Sequence, residues 1–265
     1  MTAVTLLYFS PTGTTGRVLE GIAEGLGADT VRRIDLTSGG TKVETKRGAF
    51  GDLTVIGVPV YAGRVALQAA LRLQRIRVKD VPAVVVVVYG NREYEDALLE
   101  LRNISKEAGF TPIAGAAFIG EHSFSTKDNP IAEGRPDAED LVKAEIFGRM
   151  VKEKISNLGS LESVPLLEVP GNFPYRDRNP SLKTSPETIE SACMNCGKCV
   201  EVCPVIAIRL RDKTLVTDSD LCILCCACIK NCLSEARTLK DPRLTQFARK
   251  LGAMCRQRKE PEFYL

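Results

Sequence analysis

Eight of the ten cysteines stand in two runs, Cys193, Cys196, Cys199, Cys203 and Cys222, Cys225, Cys228, Cys232, each spaced C-x-x-C-x-x-C-x-x-x-C. Three thiols at intervals of three wrap a tight loop around one iron-sulfur cube, and the fourth, a helical turn further on, reaches away from that loop. Such a segment carries electrons. Zinc needs four ligands from two C-x-x-C pairs, which leaves the third cysteine of each run without a role. Disulfides need an oxidising compartment, whereas the chain begins MTAVTLLYFSPTG, without a basic stretch, an apolar core and a small-residue cleavage site. The expected setting is cytoplasmic, reducing and anaerobic.

The runs resemble those of two-cluster bacterial ferredoxins. That resemblance implies crossed ligation, with Cys193, Cys196, Cys199 and Cys232 holding one 4Fe-4S cluster and Cys222, Cys225, Cys228 and Cys203 the other. Pro204 follows Cys203 as in that family, but Leu233 follows Cys232 where a second proline is usual. Cys226 is an extra thiol inside the second run, read like Cys255 as a small buried residue.

Residues 187–236 suffice for such a module, and the stretch before it is long enough for an independent domain. At 44% hydrophobic and 26% charged, the composition is that of an ordinary folded protein. The longest nearly continuous apolar run, Val81 to Tyr89, is far short of the about 20 residues of a spanning helix.

The first part of the chain alternates strand-like segments (3–9, 30–36, 53–58, 82–89 and 113–119) with helix-like ones (16–26, 66–74, 94–108 and 137–155). Val84 to Val88 is five valines in a row, a strand without polar alternation and hence buried on both faces. The fold class expected is α/β, a doubly wound five-stranded parallel sheet, followed by a small α+β two-cluster domain. Ligands of doubly wound sheets sit at the carboxyl ends of the strands.

Directly after the first strand stands Ser10-Pro-Thr-Gly-Thr-Thr-Gly16. The hydroxyls of Ser10, Thr12, Thr14 and Thr15, and N-H groups freed by a turn at Gly13, would bind a phosphate without Lys or Arg. The G-K-[ST] ending of the P-loop and the dinucleotide G-x-G-x-x-G are both missing. The segment resembles the FMN phosphate loop of flavodoxins, [ST]-x-T-G-x-T. Two further loops follow strands on the same edge: Pro59, Val60, Tyr61, Ala62, Gly63, Arg64, and Gly90, Asn91, then Tyr94. The loop from Gly90 to Tyr94 resembles the flavodoxin G-[DN]-x-x-Y loop. The resemblance implies that Tyr61 and Tyr94 cover the two faces of the isoalloxazine, that backbone from 59–64 and 90–94 bonds its polar edge, and that Arg64 brings positive charge to the reduced ring.

Taken whole, including its terminal E-P-E-F-Y-L, the chain resembles the flavodoxin-ferredoxin fusion proteins of anaerobic bacteria and archaea. The resemblance implies FMN and two 4Fe-4S clusters in one polypeptide. The expected organisation is a flavodoxin-like domain at 1–157, a proline-rich strap at 158–186 (Pro165, Pro170, Pro174, Pro180, Pro186), the cluster domain at 187–236 and a basic helix and tail at 237–265. Asp241-Pro242 reads as an N-cap and first helical residue, with Leu244, Phe247, Ala248, Leu251 and Met254 at helical spacing.

The whole chain carries a net +3, but residues 237–265 hold eight basic side chains against three acids. This tail is read as steering an acidic redox partner. A nucleic-acid role lacks a basic run interleaved with aromatics. His122 is the single histidine, so no Ser-His-Asp triad can be built, and it is given no role. The function expected is electron transfer between the clusters and FMN, to or from a protein partner. The alternative is a flavin oxidoreductase that reduces a quinone or nitro compound, with the clusters as its internal supply.

Overall fold

The computed structural model describes residues 3–41, 50–178, 182–211 and 214–265, so Pro180 of the proline-rich segment lies outside the described residues. Five parallel strands form the sheet's centre: β1 (Ala3–Tyr8), β2 (Thr30–Asp35), β3 (Leu53–Tyr61), β5 (Val81–Tyr89) and β6 (Phe110–Ile119). Their order across the sheet is β2-β1-β3-β5-β6. Numbered among themselves they read 2-1-3-4-5, the flavodoxin-like doubly wound order.

The valine strand shows why the sheet is central. Val84, Val86 and Val88 enter the core under helices α1 (Thr14–Leu26) and α4 (Ala138–Ser156), while Val85 and Val87 enter the core under α2 (Leu67–Leu73) and α3 (Ala97–Glu107). All five are at most 4% exposed, so a polar residue at any of them would be buried without a partner. Helix α4 opens on a capping box in which Asp137 and Asp140 bond each other's backbone N-H. Helix α1 ends on Gly27 at φ 57, whose N-H bonds the Ala23 and Glu24 carbonyls.

Helices α1 and α4 meet backbone to backbone. A Cβ on Gly148 would lie 2.2 Å from the Ile22 carbonyl oxygen. Gly148→Val must part the two helices and is expected to cost about 3 kcal/mol, the upper end of overpacking costs. The measurement is the urea midpoint, and an unchanged midpoint would show that the helices can separate freely.

The sheet is wider than the sequence pattern predicts. The short β4 (Arg64–Val65) folds back on β3, and β11 (Glu262–Tyr264) pairs antiparallel with β6, making seven strands. β6 would otherwise be an open edge in an apolar setting, and the tail supplies its missing partners. Phe263 stacks on Phe147 at 4.8 Å and lies 5.7 Å from Phe118.

The segment before the cysteine runs lies along the first domain. Leu167 and Val169 join the core beside α3, and Leu158, Leu161 and Val164 join that beside α4. Asp96 accepts from the backbone N-H of Asn172 (2.8 Å) and of Arg176 (2.7 Å).

The cysteine region is built as two similar halves. One runs from β7 (Glu187–Thr188) through α5 (Lys198–Glu201) to β8 (Ile208–Arg211), the other from β9 (Thr214–Thr217) through α6 (Ala227–Lys230) to β10 (Arg237–Thr238). β7 pairs with β10 and β8 with β9, so the halves interlock. Left-handed residues recur at matching places: Asn195 with Leu224, Gly197 with Cys226, and Ile206 with Glu235. α7 (Pro242–Met254) follows, capped by Asp241 with Pro242 in its first turn.

Candidate functional site

The turns around α5 and α6 draw the thiols inward. Cys203 joins Cys222, Cys225 and Cys228 around one small cavity, together with Cys226 and Ile208, although Cys203 belongs to the other run. Among the described residues no three His, Cys, Asp or Glu side chains converge as a single metal ion requires. Four thiols around one cavity are the donor set that an iron-sulfur cube takes.

Burial pushes the Cys225 thiol up to about 12, and pushes Cys222 and Cys228 up as well. Thiols so placed ionise more readily against a strongly charged Lewis acid, which an iron-sulfur cluster would supply. The first run is more open. Cys196 is exposed, and Met194 and Leu233, which follow Cys193 and Cys232 in the sequence, are 63% and 88% exposed. Burial raises the Cys232 thiol, but hydrogen bonds from the Ser234 hydroxyl and from the backbone N-H groups of Arg237, Ala236 and Ser234 outweigh it and lower it overall. Cys226 is buried, caps α6 at φ 57 where the first half has Gly197, and donates to the Leu224 carbonyl at 3.5 Å. It faces the same cavity, but its left-handed cap position is the place of a glycine rather than of a ligand.

The loop between β1 and α1 has the features an anion needs. Gly13 takes φ 82, its N-H bonds the Ser10 carbonyl, and the Gly16 N-H bonds Ser10 Oγ at 3.1 Å. The Ser10 hydroxyl therefore closes the loop, and no acceptor among the described residues takes the N-H of Thr14 or Thr15. Thr12 and Thr14 hydroxyls lie 3.4 Å apart. Thr15 Oγ1 is buried without a partner among the described residues, an expense that an oxygen-rich ligand in the loop would remove. The residues present fit a phosphate group.

The two flanking loops are placed differently from one another. Pro59, Val60 and Tyr61 end β3, and Ala62 (φ 53) with Gly63 (φ 76) make the two-residue hairpin turn that follows Tyr61. Tyr61 lies against the cysteine region: its hydroxyl shares a hydrogen bond with Ser123, and burial, then the thiols of Cys225 and Cys226, push it well above the usual tyrosine range. Ile223 of the second run packs into the same core cluster as Tyr61. Arg72 donates to the Pro204 carbonyl at 2.6 Å, and Lys230 to the Ser125 carbonyl at 2.8 Å. The cage holding Cys203 thus stands at the carboxyl edge of the sheet.

Three side chains expected at the flavin are engaged within the protein itself. Tyr94 is 6% exposed and turned into the core, its ring 5.4 Å from Tyr89 and its hydroxyl 2.7 Å from Glu262 and 2.8 Å from Tyr264. It anchors β11 and leaves no free ring face for a ligand. Arg64 is tied bidentately to the buried Glu100 at 2.8 Å and lies over the Tyr175 ring, so its charge is already neutralised. Asn91 gives its side-chain amide to the carbonyls of Cys255 and Gln257 and accepts from Lys259 N-H, holding the tail. The basic tail is also less free than its composition suggests, since Arg237 is buried, Arg243 pairs with Asp241, Arg258 with Asp137, and Lys259 with Glu93.

His122 is the side chain that sequence reasoning passed over. It lies on Gly90, where a Cβ would fall 2.2 Å from its ring, and its Nδ1 accepts from the Phe124 N-H. Burial, then the charges of Arg92 and Lys230, lower it from 6.5 to about 4. Between those values the unfolded chain binds the extra proton, so stability falls as pH drops through that window. His122→Gln is expected to remove about 2 kcal/mol of the stability difference between pH 7 and pH 5, by urea unfolding. An identical pH dependence in the two proteins would show the imidazole to be freely hydrated.

Residues 185–233 match the family model for a 4Fe-4S dicluster domain. No curated protein matches the chain. Among solved structures, a flavodoxin from the domain Archaea aligns at 17% identity over 59% of this chain and 100% of its own, with a TM-score of 0.40. Flavodoxin 1 from Bacillus cereus aligns at 14% identity over 60% of this chain and 100% of its own, at 0.41. The WrbA-like flavodoxin from Agrobacterium tumefaciens aligns at 18% identity over 59% and 98%, at 0.38. The molecule is a doubly wound α/β domain followed by a segment that matches the 4Fe-4S dicluster family model, and no helix among the described residues is long and apolar enough to cross a membrane.

Proposed function

We propose that the protein is an electron-transfer flavo-iron-sulfur protein that relays low-potential electrons between two 4Fe-4S clusters and FMN, and exchanges them with a protein redox partner. Cys193, Cys196, Cys199 and Cys232 would hold one cluster, and Cys222, Cys225, Cys228 and Cys203 the other. The N-H groups of Thr14 and Thr15, with the hydroxyls of Thr12, Thr14 and Thr15, would hold the FMN phosphate. Tyr61 and backbone of 59–63 and 90–91 would border the ring.

One observation carries this reading: Tyr61, on the loop expected to flank the flavin, stands beside Cys225 and Cys226 of the second cage. That position supports a cluster next to the ring site, and exposed Cys196 and Leu233 support the first run as the end that would meet a partner. Arg249, Lys250 and Arg256, which form no ion pair among the described residues, remain as the tail's attraction for acidic surfaces. The clusters supply one-electron steps and FMN accepts one or two.

The test is a reductive titration of anaerobically purified protein. About four electrons per chain should be taken up, one for each cluster and two for FMN. Uptake of two electrons, with zinc in place of iron, would leave a flavoprotein with a structural metal.

A further inference from the structure

Arg237 is only 3% exposed, and no carboxylate pairs with it among the described residues. A buried charge requires a partner. Its guanidinium donates through Nη1 to Thr188 Oγ1 at 2.7 Å, and through Nη2 to the Pro186 carbonyl at 2.8 Å, Thr217 Oγ1 at 3.0 Å and Cys228 Sγ at 3.9 Å. Nε has no acceptor among the described residues.

The internal repeat makes this placement informative. Cys193 and Cys222 occupy equivalent places, and the same offset relates Thr188 to Thr217, Cys199 to Cys228, and Ile208 to Arg237. The guanidinium is therefore held by one threonine from each half, at the seam between the halves. Cys228 of the second run, which Nη2 reaches, packs with Cys199 of the first run and with Ile208 in one buried cluster, so the guanidinium lies close to thiols of both runs. Ile208, its counterpart, is 2% exposed, so the fold accommodates an apolar side chain at this kind of position. An arginine there has a use beyond filling space.

We propose that Arg237 is the shared counter-cation of the two clusters, with Nε-H directed to cluster sulfur, and that it raises the reduction potential of both. A 4Fe-4S core with four thiolates is a net anion, and each one-electron reduction by a low-potential donor adds one more negative charge. A fixed cation nearby stabilises the reduced form more than the oxidised one. The effect is larger on the cluster of Cys228, to which the guanidinium is directly bonded. That cluster is the one beside Tyr61, so electrons entering at the open cage settle toward the flavin side. The inference rests on the cluster reading given above.

The experiment compares full-length wild type, Arg237→Lys, Arg237→Gln and Arg237→Ile, purified anaerobically, with iron and sulfide measured before each EPR-monitored redox titration. Arg237→Gln and Arg237→Ile should shift the equilibrium at least tenfold toward the oxidised form for the Cys228 cluster, which is about 59 mV for one electron. The other cluster should shift less in the same direction, and Arg237→Lys should retain much of the wild-type value. Full cluster content with unchanged potentials in Gln and Ile variants would overturn the proposal and leave Arg237 a structural residue. Pulsed EPR on reduced wild type labelled with 15N-arginine gives an answer even if a variant loses iron. Coupling of guanidinium nitrogen to the cluster spin is expected, and its absence would overturn the proposal. Wild-type protein without 4Fe-4S iron would instead overturn the cluster reading itself.

Discussion

Cys203→Ala, made and purified without oxygen, is expected to lose the cluster of the other run. Iron should fall from about 8 to about 4 per chain, with acid-labile sulfide falling in step. Cys203 sits in the first run, yet it lines the cavity formed by Cys222, Cys225 and Cys228. Cys232→Ala should remove the remaining cluster in the same manner. Cys226→Gly is the control: it replaces a left-handed residue by the type found in the equivalent place of the first half, and should leave both clusters intact. Loss of the first-run cluster in Cys203→Ala would mean that ligation is not crossed.

FMN is expected to bind at least 100-fold more tightly than riboflavin. A hydrogen bond to a charged group contributes about 1.5 to 3 kcal/mol, and the Thr14 and Thr15 N-H groups offer two to the phosphate. The full chain is the right object for this measurement. Ending it near residue 160 would strip Leu167 from the core and Phe263 from Phe147. Tyr61→Ala should weaken flavin binding by about 1 to 3 kcal/mol, the range for aromatic stacking on bases. Tyr94→Phe should leave flavin affinity in place and lower stability, because it breaks the hydroxyl bonds to Glu262 and Tyr264. Equal affinities for FMN and riboflavin would remove the phosphate-loop argument.

What the sequence made legible was local. Five successive valines place their strand at the centre of a sheet because no face of it tolerates water, and Asp241-Pro242 marks a helix start through fixed dihedrals and a side-chain cap. The Thr-rich turn after β1 was legible for the same reason, since a glycine at positive φ and a helix N-terminus follow within a few residues. The likeness of the cysteine runs to those of two-cluster ferredoxins set Cys203 among the thiols of the other run, and the cavity brings them together.

Long-range pairing was what spacing could not convey. Tyr94 faces inward because β11, arriving from the far end of the chain, offers Glu262 and Tyr264 to its hydroxyl. Arg64 is claimed by Glu100, a helix residue with no motif to announce it. The terminal E-P-E-F-Y-L carried a likeness to the fusion proteins, but nothing in its spacing tells that Phe263 and Tyr264 pair with the open edge of β6. Arg237 was visible in principle: aligning the two runs sets it opposite Ile208, and a charge opposite a buried isoleucine signals a function or a fault.

Flavin reduction followed by stopped flow tests the central claim most directly. Reduced ferredoxin is mixed with FMN-loaded wild type and with FMN-loaded Cys203→Ala, which should lack the cluster beside Tyr61. The account predicts rapid bleaching of the flavin in wild type and at least a tenfold slower rate in the variant, with flavin content equal. Equal rates would contradict it, because the donor would then reach FMN without passing through the clusters.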